Sequence, residues 1–81
     1  MRTERIAIIG AGPAGCAAAV QCKRLGISPL LVDRTGNAGG SIANAHLIEN
    51  YPGLDPLPGP EFAQRLAAHL ARHGIPILRG E

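Results

Sequence analysis

Gly10-Ala11-Gly12-Pro13-Ala14-Gly15 is the stretch whose surroundings decide the fold. It is preceded by Arg5-Ile6-Ala7-Ile8-Ile9, a run rich in β-branched residues with nothing polar after the arginine. Such a run reads as a buried parallel strand. Downstream, Ala14, Ala18, Cys22 and Leu25 recur at helical spacing, with Gln21, Lys23 and Arg24 on other faces. Pro13 suits the first helical turn, where a missing N–H costs nothing. Lys23 and Arg24 fall near the negative end of the helix dipole, and Gly26 supplies a stop. Pro29-Leu30-Leu31-Val32-Asp33 is then a second apolar run closed by an acid. Strand, helix and strand follow within about thirty residues, the size of one βαβ unit.

The hexapeptide fits G-x-G-x-x-G, a weak pattern alone but a meaningful one between a strand and a helix. Each glycine has a separate task there. Gly10 permits the tight turn off the strand, Gly12 lets backbone approach a pyrophosphate, and Gly15 allows close packing of helix on sheet. A helix N-terminus meets the pyrophosphate charge with unpaired N–H groups and a positive dipole end. Asp33, 21 residues beyond Gly12, stands where an acid accepts hydrogen bonds from an adenosine ribose. Alone it would read as a solvated strand-end acid. An acid here also repels a 2′-phosphate, while Arg34 beside it is free to meet the dinucleotide's phosphates or solvent.

The rest of the chain continues the alternation. Arg34 to Ser41 is a glycine-rich loop, and His46 to Asn50 is expected to be briefly extended. Tyr51 to Pro60 holds four prolines in ten residues, which fix φ and remove donors, so no regular element fits. Helical spacing returns at Phe62, Leu66, Ala67 and Leu70, with Pro60 and Glu61 at the start and Gly74 past the end. Ile75 to Arg79 reads as a third strand. The order is β-α-β, a long loop, then α-β, which predicts an α/β fold: a Rossmann-like βαβ unit plus a further α-β on a parallel sheet. Residues 1–81 are read as one partial domain that stops just after its third strand.

Composition narrows the function classes. The 81 residues are 46% hydrophobic, but Tyr51 and Phe62 are the only aromatics, so the core is aliphatic. The net charge of +2 comes from scattered residues with no basic stripe, which argues against nucleic-acid binding. The longest uncharged stretch, Ile6 to Cys22, is too broken by glycine and proline for a membrane span. No signal-peptide pattern is seen, and a soluble, cytoplasmic protein is expected. Cys16 and Cys22, six apart, match no redox or zinc spacing and read as helix-packing residues on roughly opposite faces. His69 and His73 stand at i, i+4, but no third ligand is evident and no metal site is expected. His46 lacks a partner for base catalysis, and Glu61 with Arg65 is expected to be an exposed pair.

Beyond these readings, Gly10-x-Gly12-Pro13-Ala14-Gly15, then Gly39-Gly40, then Glu49-Asn50-Tyr51-Pro52-Gly53 and Gly59-Pro60-Glu61 resemble the N-terminal FAD-binding segment of thioredoxin reductases. The resemblance covers nearly the whole chain, and the Glu-Asn-Tyr-Pro-Gly block is its most specific part. It implies a partial three-layer FAD/NAD(P)-binding domain of a thioredoxin-reductase-like, pyridine nucleotide-disulfide type of flavoprotein oxidoreductase. Carried over by motif, cofactor-binding roles fall on Gly10, Gly12, Pro13, Ala14, Gly15, Asp33, Gly39, Gly40 and Asn50, with Arg34 and Ser41 beside them. Ser41 departs from the glutamine usual after the Gly-Gly pair, and a hydroxyl is shorter and makes fewer bonds. The family's C-x-x-C and its second, NADPH-binding glycine motif are absent from these residues.

The leading expectation is therefore the FAD-binding segment of an enzyme that passes electrons from NAD(P)H through FAD to a disulfide or another acceptor. No catalytic residue is assigned, and NAD(P)H would be bound only in a complete enzyme. The alternative is a non-catalytic dinucleotide-binding module, standing alone or completed by a second chain, with an oligomer left open. A βαβ unit for NAD is a third reading, against which the Gly-Gly loop and the Asn-Tyr-Pro-Gly block argue. Three strands and two helices leave a sheet edge and face uncovered, so FAD binding by the segment alone is expected to be weak or absent.

Overall fold

A computed structural model describes residues 5–80. Strand β1 (Arg5–Ile9), helix α1 (Pro13–Arg24), strand β2 (Ser28–Asp33), helix α2 (Gly59–Arg72) and strand β3 (Ile77–Arg79) follow in the expected order. A five-residue 3-10 turn, Gly40–Asn44, was not anticipated. The three strands form one parallel sheet in the order β1-β2-β3, with Ile8 opposite Leu31 and Leu31 opposite Ile77. That row faces the helices. Leu31 is buried among Ala11, Cys16, Ala19, Leu70 and Ile75, with Ile8 and Ile77 packed against them. The next row, Ile9, Val32 and Leu78, points the other way, because side chains alternate across a strand.

No described element covers that second face. Ile9 is 82% exposed and Leu30 and Leu78 about two-fifths, so β1 is not the buried strand its composition predicts. Among the described residues its apolar side chains on that face lack a covering element, and it forms an edge of the described sheet.

Helix α1 buries Cys16, Ala19 and Cys22; of the expected stripe Cys22 is buried, whereas Ala14 and Ala18 are exposed and Leu25 is 65% exposed. The cause is Gly15. A Cβ on it would overlap the Gly10 carbonyl oxygen, so the helix touches the β1–α1 turn at that residue. Positions four and seven beyond Gly15 are Ala19 and Cys22, and they turn inward with it. Cys16 and Cys22 thus share the buried side, both as free thiols, and the expectation of opposite faces is corrected.

Helix α2 buries Phe62 and Leu70 with Leu66 half-buried, as expected, while Ala67 is exposed. Both helices end in the same way. Gly26 and Gly74 adopt positive φ (78° and 67°) just beyond the last turn. Ile27 N–H returns to Cys22 C=O at 2.9 Å, and Ile75 N–H to Leu70 C=O at 3.0 Å. This is the Schellman arrangement, usually accompanied by an apolar contact between the returning residue and the last turn. Ile75 and Leu70 supply it, both buried in the core. Ile75 is therefore the clasp of α2, and β3 begins two residues later than its sequence suggests.

The proline-rich loop is packed and not loose. Ile48 and Leu57 exchange backbone hydrogen bonds at 2.7 and 3.0 Å as an isolated antiparallel bridge, the expected extended patch. Together with Phe62 they form a second apolar cluster, flanked by Ile42, Ala45, Leu54 and Leu66. Tyr51 meets the Phe62 ring edge-on, with centroids 5.1 Å apart. Gly59 closes the junction. Its N–H donates to Ala45 C=O, and a Cβ there would overlap the carbonyl oxygens of Ile42 and Ala45. Among the described residues, no helix is long and apolar enough to cross a membrane.

Candidate functional site

The C-terminal ends of β1 and β2 carry the site, as is usual for open parallel sheets. Gly10 leaves β1 at φ +100°, a conformation open chiefly to glycine, while its N–H still donates to Val32 C=O at 2.7 Å. The following peptide is held on all sides. Ala11 N–H donates to Asp33 Oδ1 at 2.9 Å. Its carbonyl oxygen accepts from Gly39 N–H at 2.7 Å and from the Cys16 thiol at 3.2 Å. Ala11 is fully buried, so these bonds replace water that it cannot reach. Burial, and then the nearby Asp33 charge, push the Cys16 thiol up from its ordinary pKa, which keeps it a neutral donor.

Gly12 caps α1 in an extended conformation, φ −71° and ψ −177°, with no side-chain cap and no acid in the first turn. The positive end of a twelve-residue helix is thus open to an anion from outside the chain. A Cβ built on Gly12 meets nothing within 4 Å. Neither conformation nor internal packing demands glycine here, whereas Gly15 is demanded by the Gly10 carbonyl. The three glycines of the motif divide as their spacing predicts: one for the turn, one for helix packing, and one facing open space.

Asp33 closes β2 beside this turn. Its Oδ1 takes the Ala11 N–H, and Oδ2 takes the Thr35 hydroxyl at 2.6 Å and the Thr35 N–H at 2.9 Å. The Thr35 hydroxyl, then the Ala11 and Thr35 N–H groups, hold its carboxyl below the usual carboxylate range, and Arg34 adds to this. A carboxylate with a lowered folded-state pKa contributes stability that is complete above its unfolded pKa, near 3.9, and is lost as pH falls through the folded value. The thermal stability of wild type over Asp33→Asn is therefore expected to hold constant from pH 7 to about 5. It should narrow below about pH 4, as melting curves followed by circular dichroism would show. A gap that widened on acidification would contradict this account.

A cleft of about 940 Å³ opens over Gly10 and Asp33, and Gly12 lies outside its lining. Gly10, Asp33, Arg34, Gly40 and Ser41 line it, as does Thr35 with Asn37. Gly39 is buried under the cleft at φ +112°, where a Cβ would stand 2.7 Å from Ala63 of α2. Gly40 passes directly over Gly12, its missing Cβ 3.5 Å from the Gly12 Cα. The two glycine segments are thus brought together. Pro13 and Ala14 form the first turn of α1; Pro13 faces a second, apolar cavity of about 420 Å³ between α1 and α2, shared with Tyr51 and Pro52. Asn50 is exposed and lines neither cavity.

Ala11, Thr35 and Asn37 were not singled out by sequence. The Asp-Arg-Thr triplet was the available signal, since Asp and Thr close side-chain turns on nearby backbone. Elsewhere, His69 and His73 stack on each other with centroids 5.3 Å apart, and Glu61 lies 3.8 Å from Arg65 on the exposed face of α2. Among the described residues, no three His, Cys, Asp or Glu side chains gather as a metal-binding group.

Similarity to known proteins agrees with this geometry. A family model described as FAD dependent oxidoreductase matches residues 5–74. Thioredoxin reductase of Bacillus subtilis is 41% identical over 76 residues, covering 94% of this chain and 24% of that protein. The crystal structure of Lactococcus lactis thioredoxin reductase superposes with a TM-score of 0.84 at 38% identity, covering 99% of this chain and 26% of that one. A ferredoxin-flavin thioredoxin reductase from Clostridium acetobutylicum gives 0.85 at 31% identity, covering 100% of this chain and 28% of its own. The chain spans about a quarter of the length of these relatives. The chain belongs to the FAD dependent oxidoreductase family and corresponds to the FAD-binding segment of a thioredoxin reductase-like flavoprotein.

Proposed function

We propose that these residues bind the ADP half of FAD, with the pyrophosphate at the N-terminus of α1 and the adenosine ribose at Asp33. The observation that carries this reading is Gly12, a glycine that neither its own φ nor any neighbouring atom requires, set at an uncapped helix N-terminus. A residue kept bare toward open space fits a ligand that approaches the backbone itself. Gly10, Pro13, Ala14 and Gly15 build the turn and first helical turn around it. Gly39 and Gly40 carry the neighbouring loop across it, and Arg34 and Ser41 offer a cation and a hydroxyl at the rim. Asn50 lies outside this cleft, and its role toward the cofactor rests on the family motif alone.

Bound FAD supplies two-electron redox chemistry, which this segment supports by binding and orientation. Oxidation of NAD(P)H and reduction of a disulfide or other acceptor belong to the complete protein, whose remainder or a partner chain would provide those sites. The two free cysteines suit a reducing, cytoplasmic setting.

Titration with ADP, followed by amide NMR shifts, tests the reading even where affinity is low. Saturable shifts are expected at Gly12, Ala14, Gly15 and the residues around Asp33, and FAD should compete for the site where FMN does not. Folded protein whose spectrum is unmoved by millimolar ADP would end the proposal.

A further inference from the structure

Resting on the proposal that Asp33 meets the adenosine ribose, we infer that Thr35 is the positioning residue that decides which carboxylate oxygen the ribose encounters. A carboxylate offers about four acceptor positions, two on each oxygen. Three are already filled in this chain. Oδ2 accepts both the Thr35 hydroxyl and the Thr35 N–H, and Oδ1 accepts the Ala11 N–H. The one remaining position is on Oδ1, the oxygen tied to the glycine turn.

The Thr35 hydroxyl is itself fixed. Its proton goes to Oδ2 at 2.6 Å, and its oxygen accepts the Asn37 N–H at 3.1 Å, so its rotation is set from both sides. Asp33, Thr35 and Asn37 all line the cleft, which places this chain of hydrogen bonds at the wall a ligand meets. The two backbone N–H groups tie one oxygen each, and without the hydroxyl Oδ2 would keep an open acceptor position, so a ligand could meet either oxygen. Thr35 removes that freedom before the ligand arrives, and pre-set geometry lowers the ordering cost of binding. Valine matches threonine in shape but lacks the hydroxyl, so it leaves Oδ2 with an open position while the Ala11 and Thr35 N–H bonds to the two oxygens remain.

The test is a cycle between the side chain and the sugar. Dissociation constants for ADP and 2′,3′-dideoxy-ADP are measured by NMR titration on wild type, Thr35→Val and Thr35→Ser. Wild type is expected to prefer ADP by roughly tenfold, the size of a hydrogen bond to a charged group. Thr35→Val should reduce that preference to about twofold, and Thr35→Ser, which keeps the hydroxyl, should restore it. A purely structural role would weaken both ligands alike and leave the preference unchanged, which would overturn the inference. Thr35→Ala removes the same hydroxyl without added bulk and serves where the valine variant does not fold. A wild type that binds both nucleotides equally would sink the ribose contact, and Thr35 with it, while ADP binding stands. A folded wild type that binds neither would overturn both readings.

Discussion

Gly15→Ala is expected to cost this protein about 3 kcal/mol or more, enough to lower its melting temperature by about 12–24 °C. The added Cβ would overlap the Gly10 carbonyl oxygen. Backbone on both sides makes the overlap hard to relieve. A side chain can rotate away, but Gly10 is pinned by its N–H bond to Val32, and the next peptide is pinned by Asp33 and Gly39. Helix α1 would have to lift from the sheet, and with it Cys16 and Ala19, which lie in the main core. Domains of this size carry a total stability of only several kcal/mol, so a large unfolded fraction is expected at 37 °C. Thermal and urea melts by circular dichroism provide the check, and a melting temperature within 3 °C of wild type would contradict the packing described.

Gly12→Val should do the opposite. Apart from its chain neighbours, no protein atom lies within 4 Å of a Cβ at this position, and φ at −71° is ordinary for any residue. Stability should fall by no more than about 1 kcal/mol, the scale of changing a helix N-cap. Ligand affinity should fall about a hundredfold. The side chain projects into the space left for the pyrophosphate and keeps phosphate oxygens from the helix N-terminus, where charged hydrogen bonds count most. ADP titration of the folded variant gives the answer directly. Unchanged affinity would show that the anion binds elsewhere. The two substitutions, three residues apart in one motif, thus separate folding from binding.

Much of this arrangement was legible in the sequence because the signals were backbone signals. Glycines at 10, 26 and 74 and prolines at 13 and 60 mark turns and helix ends through φ alone, and the structure uses them so. Helix α2 was legible because its charged and apolar residues separate cleanly around its axis. Helix α1 was not. It is mostly small apolar residues, so helical spacing gave a stripe of Ala14, Ala18, Cys22 and Leu25, of which Cys22 alone is buried. The better signal was Gly15, read as a helix–sheet contact yet left out of the face it defines. The sequence suggests a strand from Ile75, a β-branched residue that suits sheets, whereas the glycine before it makes Ile75 a helix clasp. In the site, the glycine loops and Asp33 were found by spacing. Thr35 and Asn37 were missed because their part is played by hydrogen bonds to a neighbour, which no periodicity reports.

The side of the sheet that no described element covers also affects how the free energy of this chain varies with temperature. Ile9, Leu30 and Leu78 already meet water in the native state, so unfolding adds less newly hydrated hydrocarbon than a fully wrapped sheet would. Heat-capacity change scales with that area, as does sensitivity to urea. The chain is therefore expected to show a shallow, broad stability curve and a small denaturant slope for its length. Any element laid over that side deepens the curve and steepens the slope together.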